Sequence, residues 1–140
     1  MSARLLLLAV LLFPFACGRP SPEAQVKAAF EACRAAVEAG NVDRAVAPLA
    51  PEFQGPEGMD RAGARLFLLA TLRRQRAGIT VLRNDVRIDG EEAFQQVDLV
   101  LTGRGGALWP EDASRRTYLL HWRRTHGAWK LVELQSPEGP

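Results

Sequence analysis

The spacing of apolar residues changes its period once along the chain, near Ile79, and this change restricts the fold more than any other feature of the sequence. Before it, apolar side chains recur every three or four residues, as Val26, Phe30, Cys33 and Val37 do, which is typical of amphipathic helices. After it, apolar and polar residues alternate, which is typical of strands with one buried face. This order predicts an α+β domain in which three N-terminal helices are followed by an antiparallel sheet.

Three helices are predicted in the first half of the chain. Ser21 as N-cap and Pro22 at the first helical position begin a helix of about 17 residues that ends at Gly40. A second, shorter helix starts at Asn41, and Asp60 caps a third that runs to about Ala77. Pro48 and Pro51 are predicted to end the second helix, and residues 53–59 to form a turn-rich connection. The buried side of the third helix is predicted to consist of Leu66, Leu69, Ala70 and Leu72.

Four strands are predicted in the second half. Asp89-Gly90 is a strong hairpin signal, and His126-Gly127 indicates a second tight turn. The strands around these turns cover about 79–89, 93–102, 115–125 and 128–135, with a glycine-rich loop before the third and a disordered tail over 136–140. Strands joined in this way predict an antiparallel meander.

The first 16 residues have the pattern of a secretory signal peptide. Arg4 supplies the positive start, and an unbroken apolar run covers residues 5–13. The run is shorter than the roughly 20 residues that a membrane span requires, and Pro14 would break a continuous helix. The sequence therefore predicts export.

Ala16-Cys17-Gly18 resembles the cleavage site of bacterial lipoproteins, in which the cysteine becomes the acylated first residue. Pro14 and Phe15 depart from that pattern, and ordinary cleavage after Gly18 is the alternative. The resemblance implies a lipid anchor at Cys17, a tether over 17–22 and, because Gly18 follows the cysteine, anchoring in the outer membrane with the domain facing the periplasm. Without acylation, the protein would be periplasmic or secreted.

Charge and ligand chemistry exclude several classes of function. Of the 18 basic residues only Arg4 precedes Cys17, so the chain after the signal peptide carries 17 basic and 16 acidic residues. A net charge this close to zero argues against a nucleic-acid partner, which would require clustered positive charge. The arginines at the end of the third helix are explained by its dipole.

Two distant histidines and no second available thiol predict no metal site, and we expect no cofactor. The spacing around Cys33 indicates a buried thiol that acts as a small hydrophobic group.

The order of elements over residues 23–135 resembles the nuclear transport factor two-like superfamily, which includes ketosteroid isomerases and polyketide cyclases. The motifs that carry the resemblance are Phe30, Ala39-Gly40-Asn41-Val42-Asp43, Leu49-Ala50-Pro51-Glu52-Phe53, Trp122-Arg123-Arg124 and Gly127-Ala128-Trp129-Lys130-Leu131-Val132. The resemblance implies that the three helices pack on a strongly curved antiparallel sheet and form a cone-shaped domain. It also implies that the open mouth of the cone binds small apolar ligands and that a homodimer forms through the open sheet face. The motifs mark the fold and say little about activity.

An isomerase-type site needs a carboxylate base and hydrogen-bond donors that face a developing oxyanion. Asp98 and Tyr118 lie on neighbouring predicted strands and would serve if they meet, and His121 is the side chain most easily tuned near neutral pH. The pattern favours another role for each, because Asp98 shares the less apolar face of its strand and a strand histidine usually pairs with an acid or is solvated. Candidate pocket residues are Phe53, Tyr118, Trp109 and Trp122, although aromatic residues at such spacing usually form the core.

These observations predict an envelope lipoprotein whose cone domain, without catalysis, binds a small apolar ligand or a protein partner. One alternative is an isomerase- or cyclase-like enzyme that acts on a small apolar substrate. The other is a structural or assembly partner in the cell envelope.

Overall fold

The computed structural model describes residues 18–103 and 115–137. The predicted signal peptide (1–16), the lipidation site Cys17, the loop residue Trp109 and the last part of the predicted tail (138–140) lie outside the described residues.

The helices and strands follow one another in the predicted order, with one strand more than predicted. They are α1 (Pro22–Glu38), α2 (Val42–Val46), β1 (Leu49–Gln54), α3 (Arg61–Arg74), β2 (Gly78–Asp89), β3 (Glu92–Thr102), β4 (Arg115–Thr125) and β5 (Ala128–Gln135). The α+β class is confirmed, and β4 and β5 have the predicted bounds.

Each predicted helix start is capped by the expected side chain. Ser21 accepts a hydrogen bond from the Ala24 amide, Asn41 from the Arg44 amide and Asp60 from the Gly63 amide, so each satisfies an amide at its helix start. The C-terminal end of α1 is followed by Gly40 with a φ of +71°, a conformation that favours glycine. These boundaries were predictable because each depends on neighbouring residues only.

The helix α3 differs from the prediction in its length and in its buried side. It ends at Arg74 rather than near Ala77, because Gln75 already has an extended backbone conformation (φ −154°, ψ 150°). The prediction that Leu66 and Ala70 are buried is wrong, since both are exposed. The side chains of α3 that pack against the core are those of Ala64, Leu68, Leu69 and Leu72. Apolar residues occur all around this helix, so periodicity alone could not select the face that the rest of the domain covers.

The sheet has five strands in the order β1-β5-β4-β3-β2. The four predicted strands pair antiparallel, but β1 runs parallel to β5, so the sheet is mixed. Residues 49–54 were predicted to end a helix and begin a turn-rich connection, and that prediction is wrong. Pro51 interrupts the strand pattern and is accommodated because β1 lies at the edge of the sheet. Register shifts in β2 and within the β4–β5 pair bend the sheet around the helices.

The opposite edge strand, β2, is held by side chains from α1. Glu38 Oε1 accepts a hydrogen bond of 2.7 Å from the Ile79 amide, and Arg34 Nη1 donates one of 3.4 Å to the Ile79 carbonyl. Arg34 also bonds Glu38 at 2.7 Å. This arrangement occupies backbone groups that an edge strand leaves open to other chains.

The core lies between the helices and one face of the sheet. Its buried members include Val26 from α1, Val46 from α2 and Phe53 from β1, which pack with Val97 and Trp122 from the sheet. No described core residue precedes Val26, so the described core of the domain is contained between α1 and β5.

Candidate functional site

The strand register assigns the predicted site residues of β3 and β4, which are Asp98, Tyr118, His121 and Trp122, to one of two sheet faces. In β3 the residues Ala93, Gln95, Val97 and Leu99 are buried against the helices, whereas the residues between them are only partly buried. We call the first the inner face and the second the outer face. The outer-face residues of β3 are Glu92, Phe94, Gln96, Asp98 and Val100.

The inner face is filled by packed side chains. Trp122 is 1% exposed and Phe53 is 3% exposed, and the indole Nε1 of Trp122 donates a hydrogen bond of 2.8 Å to Gln95 Oε1. Gln95 Nε2 donates in turn to Asn84 Oδ1, also at 2.8 Å. Phe53 and Trp122, two of the candidate pocket residues, therefore belong to the core as the structure describes it.

Asp98 and Tyr118 do not form the pair that an isomerase-type site would need. Asp98 lies opposite Thr117 in β4, whereas Tyr118 lies opposite Val97. Because neighbouring residues of a strand point to opposite faces, Asp98 is on the outer face and Tyr118 on the inner face. Asp98 Oδ1 accepts a hydrogen bond of 2.9 Å from the Thr117 hydroxyl. The condition under which Asp98 and Tyr118 would serve an isomerase-type site is therefore not met, and Asp98 lies on the less apolar face that the pattern favoured for it.

His121 lies on the outer face within a stack that crosses three strands. Its ring stacks on Phe94 with centroids 4.7 Å apart and planes 10° from parallel. The Arg87 guanidinium lies 4.7 Å from the centroid of the same Phe94 ring, a distance at which cations are attracted to aromatic faces. Arg87, Phe94 and His121 are cross-strand partners in β2, β3 and β4.

Acidic side chains flank this stack. His121 Nε2 is shielded from solvent and lies 3.3 Å from Glu92 Oε1 without forming a hydrogen bond. Glu133 in β5 lies opposite His121 on the other side. Arg123 contacts Glu92 at 3.3 Å and Glu52 at 3.5 Å, so charges of both signs surround the imidazole.

A cleft with a volume of about 460 Å³ opens on the outer face next to the stack. Its apolar lining includes Phe94 and Leu119, and its polar lining includes Gln96, His121 and Glu133. Leu119 is 37% exposed, so apolar surface remains open to solvent within a concave site. Most of the sheet residues lining the cleft belong to two adjacent cross-strand rows, one through Phe94 and His121 and one through Gln96 and Leu119.

A second, more open hollow of about 440 Å³ lies where the turn between α1 and α2 faces α3. Its polar walls include Asn41, Asp43 and Arg65, and Arg65 Nη2 contacts Asp43 Oδ1 at 2.8 Å. This exposed ion pair joins the helices α2 and α3 but brings no candidate catalytic residue together.

Within residues 18–103 and 115–137, no group of three or more His, Cys, Asp or Glu side chains is placed to hold a metal ion. None of the helices in the same part of the chain combines the length and apolar character needed to cross a bilayer.

Sequence reasoning missed the outer-face cleft, although one signal for it was present. A two-residue turn after Asp89 sets Asp89 opposite Glu92 and therefore Arg87 opposite Phe94. That register was readable from the Asp89-Gly90 hairpin. The position of His121 beside Phe94 was not readable, because the loop between β3 and β4 is too long to set the register.

The sequence matches no protein-family model and no curated protein. Its fold, however, matches many solved structures. An NTF2-like (nuclear transport factor two-like) protein from Cytophaga hutchinsonii aligns with a TM-score of 0.68 and 13% identity over 84% of this chain and 98% of that one. A protein of unknown function with a cystatin-like fold from Nostoc punctiforme aligns with a TM-score of 0.64 and 18% identity, over 84% of this chain and 93% of its own.

An NTF2-like protein of unknown function from Pseudomonas putida aligns with a TM-score of 0.65 and 13% identity, over 81% of this chain and 84% of the other. Identities this low establish a shared fold and nothing about shared activity. The matches cover most of both chains, and the predicted superfamily fold is confirmed. The described part of this chain is therefore a domain of the NTF2-like, cystatin-like α+β fold.

Proposed function

We propose that this chain is an exported bacterial lipoprotein whose NTF2-like domain binds a small, largely apolar ligand in the outer-face cleft and catalyses no reaction. The observation that carries the proposal is the exposed Leu119 beside the Phe94–His121 stack in a cleft of about 460 Å³. Ligand sites are typically concave and mostly apolar, with a few polar groups that orient the ligand. Gln96, His121 and Glu133 supply such groups in the lining of the cleft.

The separation of the candidate catalytic residues supports binding without catalysis. Asp98 and Tyr118 lie on opposite faces of the sheet, so no single substrate contacts both from one side. His121 shares the outer face with Asp98, but the row through Gln96 and Leu119 lies between them. An acid–base site needs its groups within hydrogen-bond reach of one reacting atom, and these three residues do not converge.

The binding proposal is tested with an apolar fluorescent dye, anilinonaphthalene sulfonate, and the chain that begins at Gly18. Leu119→Ser should weaken dye binding roughly fivefold, the equivalent of about 1 kcal/mol of lost apolar contact. Leu82→Ser is the matched control, because Leu82 is also exposed (53%) but lies outside the cleft. Equal effects of the two substitutions, or no effect of Leu119→Ser, would contradict a binding role for the cleft.

The absence of catalysis is tested separately. Turnover of a ketosteroid- or polyketide-like substrate by the purified protein, abolished by Asp98→Asn, would replace this proposal with the enzymatic alternative.

Sedimentation decides whether a second copy occupies the outer face instead of a ligand. A dimer that Leu119→Ser dissociates would favour the assembly alternative.

The proposed lipid anchor is tested by the intact mass of the mature protein isolated from cells. We expect a chain that begins with an acylated Cys17. A mass that corresponds to an unmodified chain starting at Arg19 would show ordinary cleavage after Gly18 and would refute the anchor.

A further inference from the structure

The helix α3 presents an outward side on which apolar residues and arginines lie together. Leu66 is 66% exposed and Phe67 is 55% exposed, the two highest values among the large apolar side chains of the described residues. Ala70, one turn further along, is also exposed, and Arg73 and Arg74 follow in the last turn. Residues three, four and seven positions apart share one side of a helix. Leu66, Phe67, Ala70, Arg73 and Arg74 therefore form one continuous strip, which we call the α3 strip.

The charged residues within the segment 61–76, which contains the α3 strip, all carry the same sign. Of the 17 basic residues that follow Cys17, five lie between Arg61 and Arg76, and none of the 16 acidic residues does. Arg65 is paired with Asp43. Arg73, Arg74 and Arg76 form no ion pair with any residue of the described ranges. The helix dipole explains why cations are tolerated at this end of α3, but it does not explain large apolar side chains exposed beside them.

We propose that the α3 strip is a second membrane contact, which docks on anionic lipid headgroups. Leu66 and Phe67 insert at the boundary between headgroups and acyl chains, and Arg73 and Arg74 bind lipid phosphates. Helices that lie in a membrane interface combine these two features, an apolar side that enters the interface and basic residues that bind anionic lipid. A nucleic acid would be attracted by the arginines but would not account for the exposed Leu66 and Phe67.

This inference rests on the proposed function, because the lipid anchor at Cys17 brings the domain to the membrane. A tether over residues 17–22 spans at most about 20 Å when fully extended. The start of α1 at Pro22 is therefore held within that distance of the bilayer. At such a separation a weak second contact is strengthened by its high effective concentration.

The test measures vesicle binding by the chain that begins at Gly18, which contains the whole described core and lacks the lipidation site. Binding in this experiment depends on the protein surface alone, so its failure is distinct from a failure of the anchor, which intact mass decides. We expect the protein to sediment with phosphatidylcholine vesicles that contain about one third phosphatidylglycerol, and to remain in solution with phosphatidylcholine alone. Raising the salt from about 0.05 M to about 0.5 M should release it.

Substitutions then identify the surface that binds. Arg73→Gln with Arg74→Gln should lower vesicle partitioning roughly fivefold for each arginine removed, and Phe67→Ser should lower it by a similar factor. The matched controls are Arg83→Gln and Leu82→Ser, which change an exposed arginine and an exposed leucine on β2 and should leave partitioning unchanged.

Three results would overturn the proposal. These are no binding to anionic vesicles, unchanged binding by the Arg73/Arg74 and Phe67 variants, and equal losses in the two β2 controls. All the substituted side chains are exposed, so thermal melting should show the same Tm for each variant. If Phe67→Ser is the one variant with a lowered Tm, its vesicle binding is set aside, and the vesicle binding of the Arg73/Arg74 double variant decides whether the proposal stands.

Discussion

At the scale of single residues, the most informative position is Gln95. It is 2% exposed and is the buried polar residue of the described core. Burying an amide is costly unless its hydrogen bonds are made, and Gln95 makes them with Trp122 on one side and Asn84 on the other. These bonds fix the orientation of the largest buried side chain, and an apolar residue at this position would leave the indole without a partner.

We predict that Gln95→Leu lowers the free energy of unfolding by about 1–3 kcal/mol, because the Trp122 indole N–H is left buried without an acceptor. Gln96→Leu is the control, since Gln96 is on the outer face and only partly buried, and it should change stability by less than about 0.5 kcal/mol. Urea unfolding of both variants provides the measurement. A Gln95 variant as stable as the native protein would mean that the indole finds another acceptor.

The thiol of Cys33 is expected to react slowly in the folded protein. Burial raises the pKa of its thiol from 9.0 to about 11, and its Sγ donates to the Ala45 carbonyl at 3.3 Å. The thiolate is the reactive form of cysteine. At pH 8 iodoacetamide should therefore alkylate Cys33 much more slowly in the folded protein than in urea-unfolded protein. Equal rates would show that the thiol is accessible and easily ionised.

The same shift predicts a pH dependence of stability. The folded pKa lies above the unfolded one, so the unfolded chain loses this proton first as the pH rises. The contribution of Cys33 is therefore fully present below about pH 9 and is lost as the pH approaches 11. Comparison with Cys33→Ala by urea unfolding at each pH isolates this contribution from other groups that titrate in the same range.

At the scale of secondary-structure elements, the contact between α1 and β2 couples a helix to an edge strand. Arg34 pairs with both Glu31 and Glu38, but only Glu38 also accepts the Ile79 amide of β2. The Arg34 guanidinium holds the pKa of the exposed Glu31 carboxyl below its usual value. Glu31 and Glu38 of α1 thus share the Arg34 guanidinium, but of these two acids only Glu38 also bonds the sheet, at the Ile79 amide.

We predict that Glu38→Ala lowers the free energy of unfolding by about 1–2 kcal/mol, because the Ile79 amide loses a charged acceptor. Glu31→Ala removes the other acid that pairs with Arg34 and should cost less than about 0.5 kcal/mol, as is usual for exposed ion pairs. Thermal melting distinguishes the two variants, and hydrogen exchange at Ile79 should rise in the first alone. Similar losses in both variants would assign the effect to the ion pairs rather than to the strand.

At the scale of the whole molecule, the helices cover one face of the sheet and leave the other open. The inner face carries the buried core, and the outer face carries the Arg87–Phe94–His121 stack and the cleft. If the cleft binds a ligand as proposed, binding and stability depend on different faces of the sheet, because the buried core residues of β3 lie on the inner face. The start of α1 is part of the inner side, since Gln25 Oε1 accepts a 3.1 Å hydrogen bond from the Trp129 indole.

We predict that a chain starting at Gly18 unfolds in one cooperative transition, whereas a chain starting at Val26 is less stable by about 2–4 kcal/mol. The shorter chain lacks the Ser21 cap, which contributes about 1 kcal/mol. It also lacks the Gln25 acceptor of a nearly buried indole, which contributes about 1–3 kcal/mol. Urea unfolding of both chains is the measurement, and equal stabilities would show that the first turn of α1 adds nothing to the fold.

The sequence by itself determined the local features of this protein. The caps Ser21, Asn41 and Asp60 accept hydrogen bonds from amides three residues further along. The turn residues Gly90 and Gly127 adopt a positive φ, which favours glycine. These roles are readable without the fold because each is local. The order of the helices and of the strands β2 to β5 followed from periodicity, which is also a local property of the sequence. Export and acylation at Cys17 also rest on a local pattern, and they stay predictions.

Only the tertiary structure decided which sides of these elements are covered. The strand β1 exists because β5 pairs with it, and the separation of Asp98 from Tyr118 follows from the β3–β4 register. Leu66 and Phe67 are exposed because the rest of the domain covers the opposite side of α3. Pairing and burial join residues that are distant in the chain, and an apolar pattern with more than one acceptable face does not specify which face is buried.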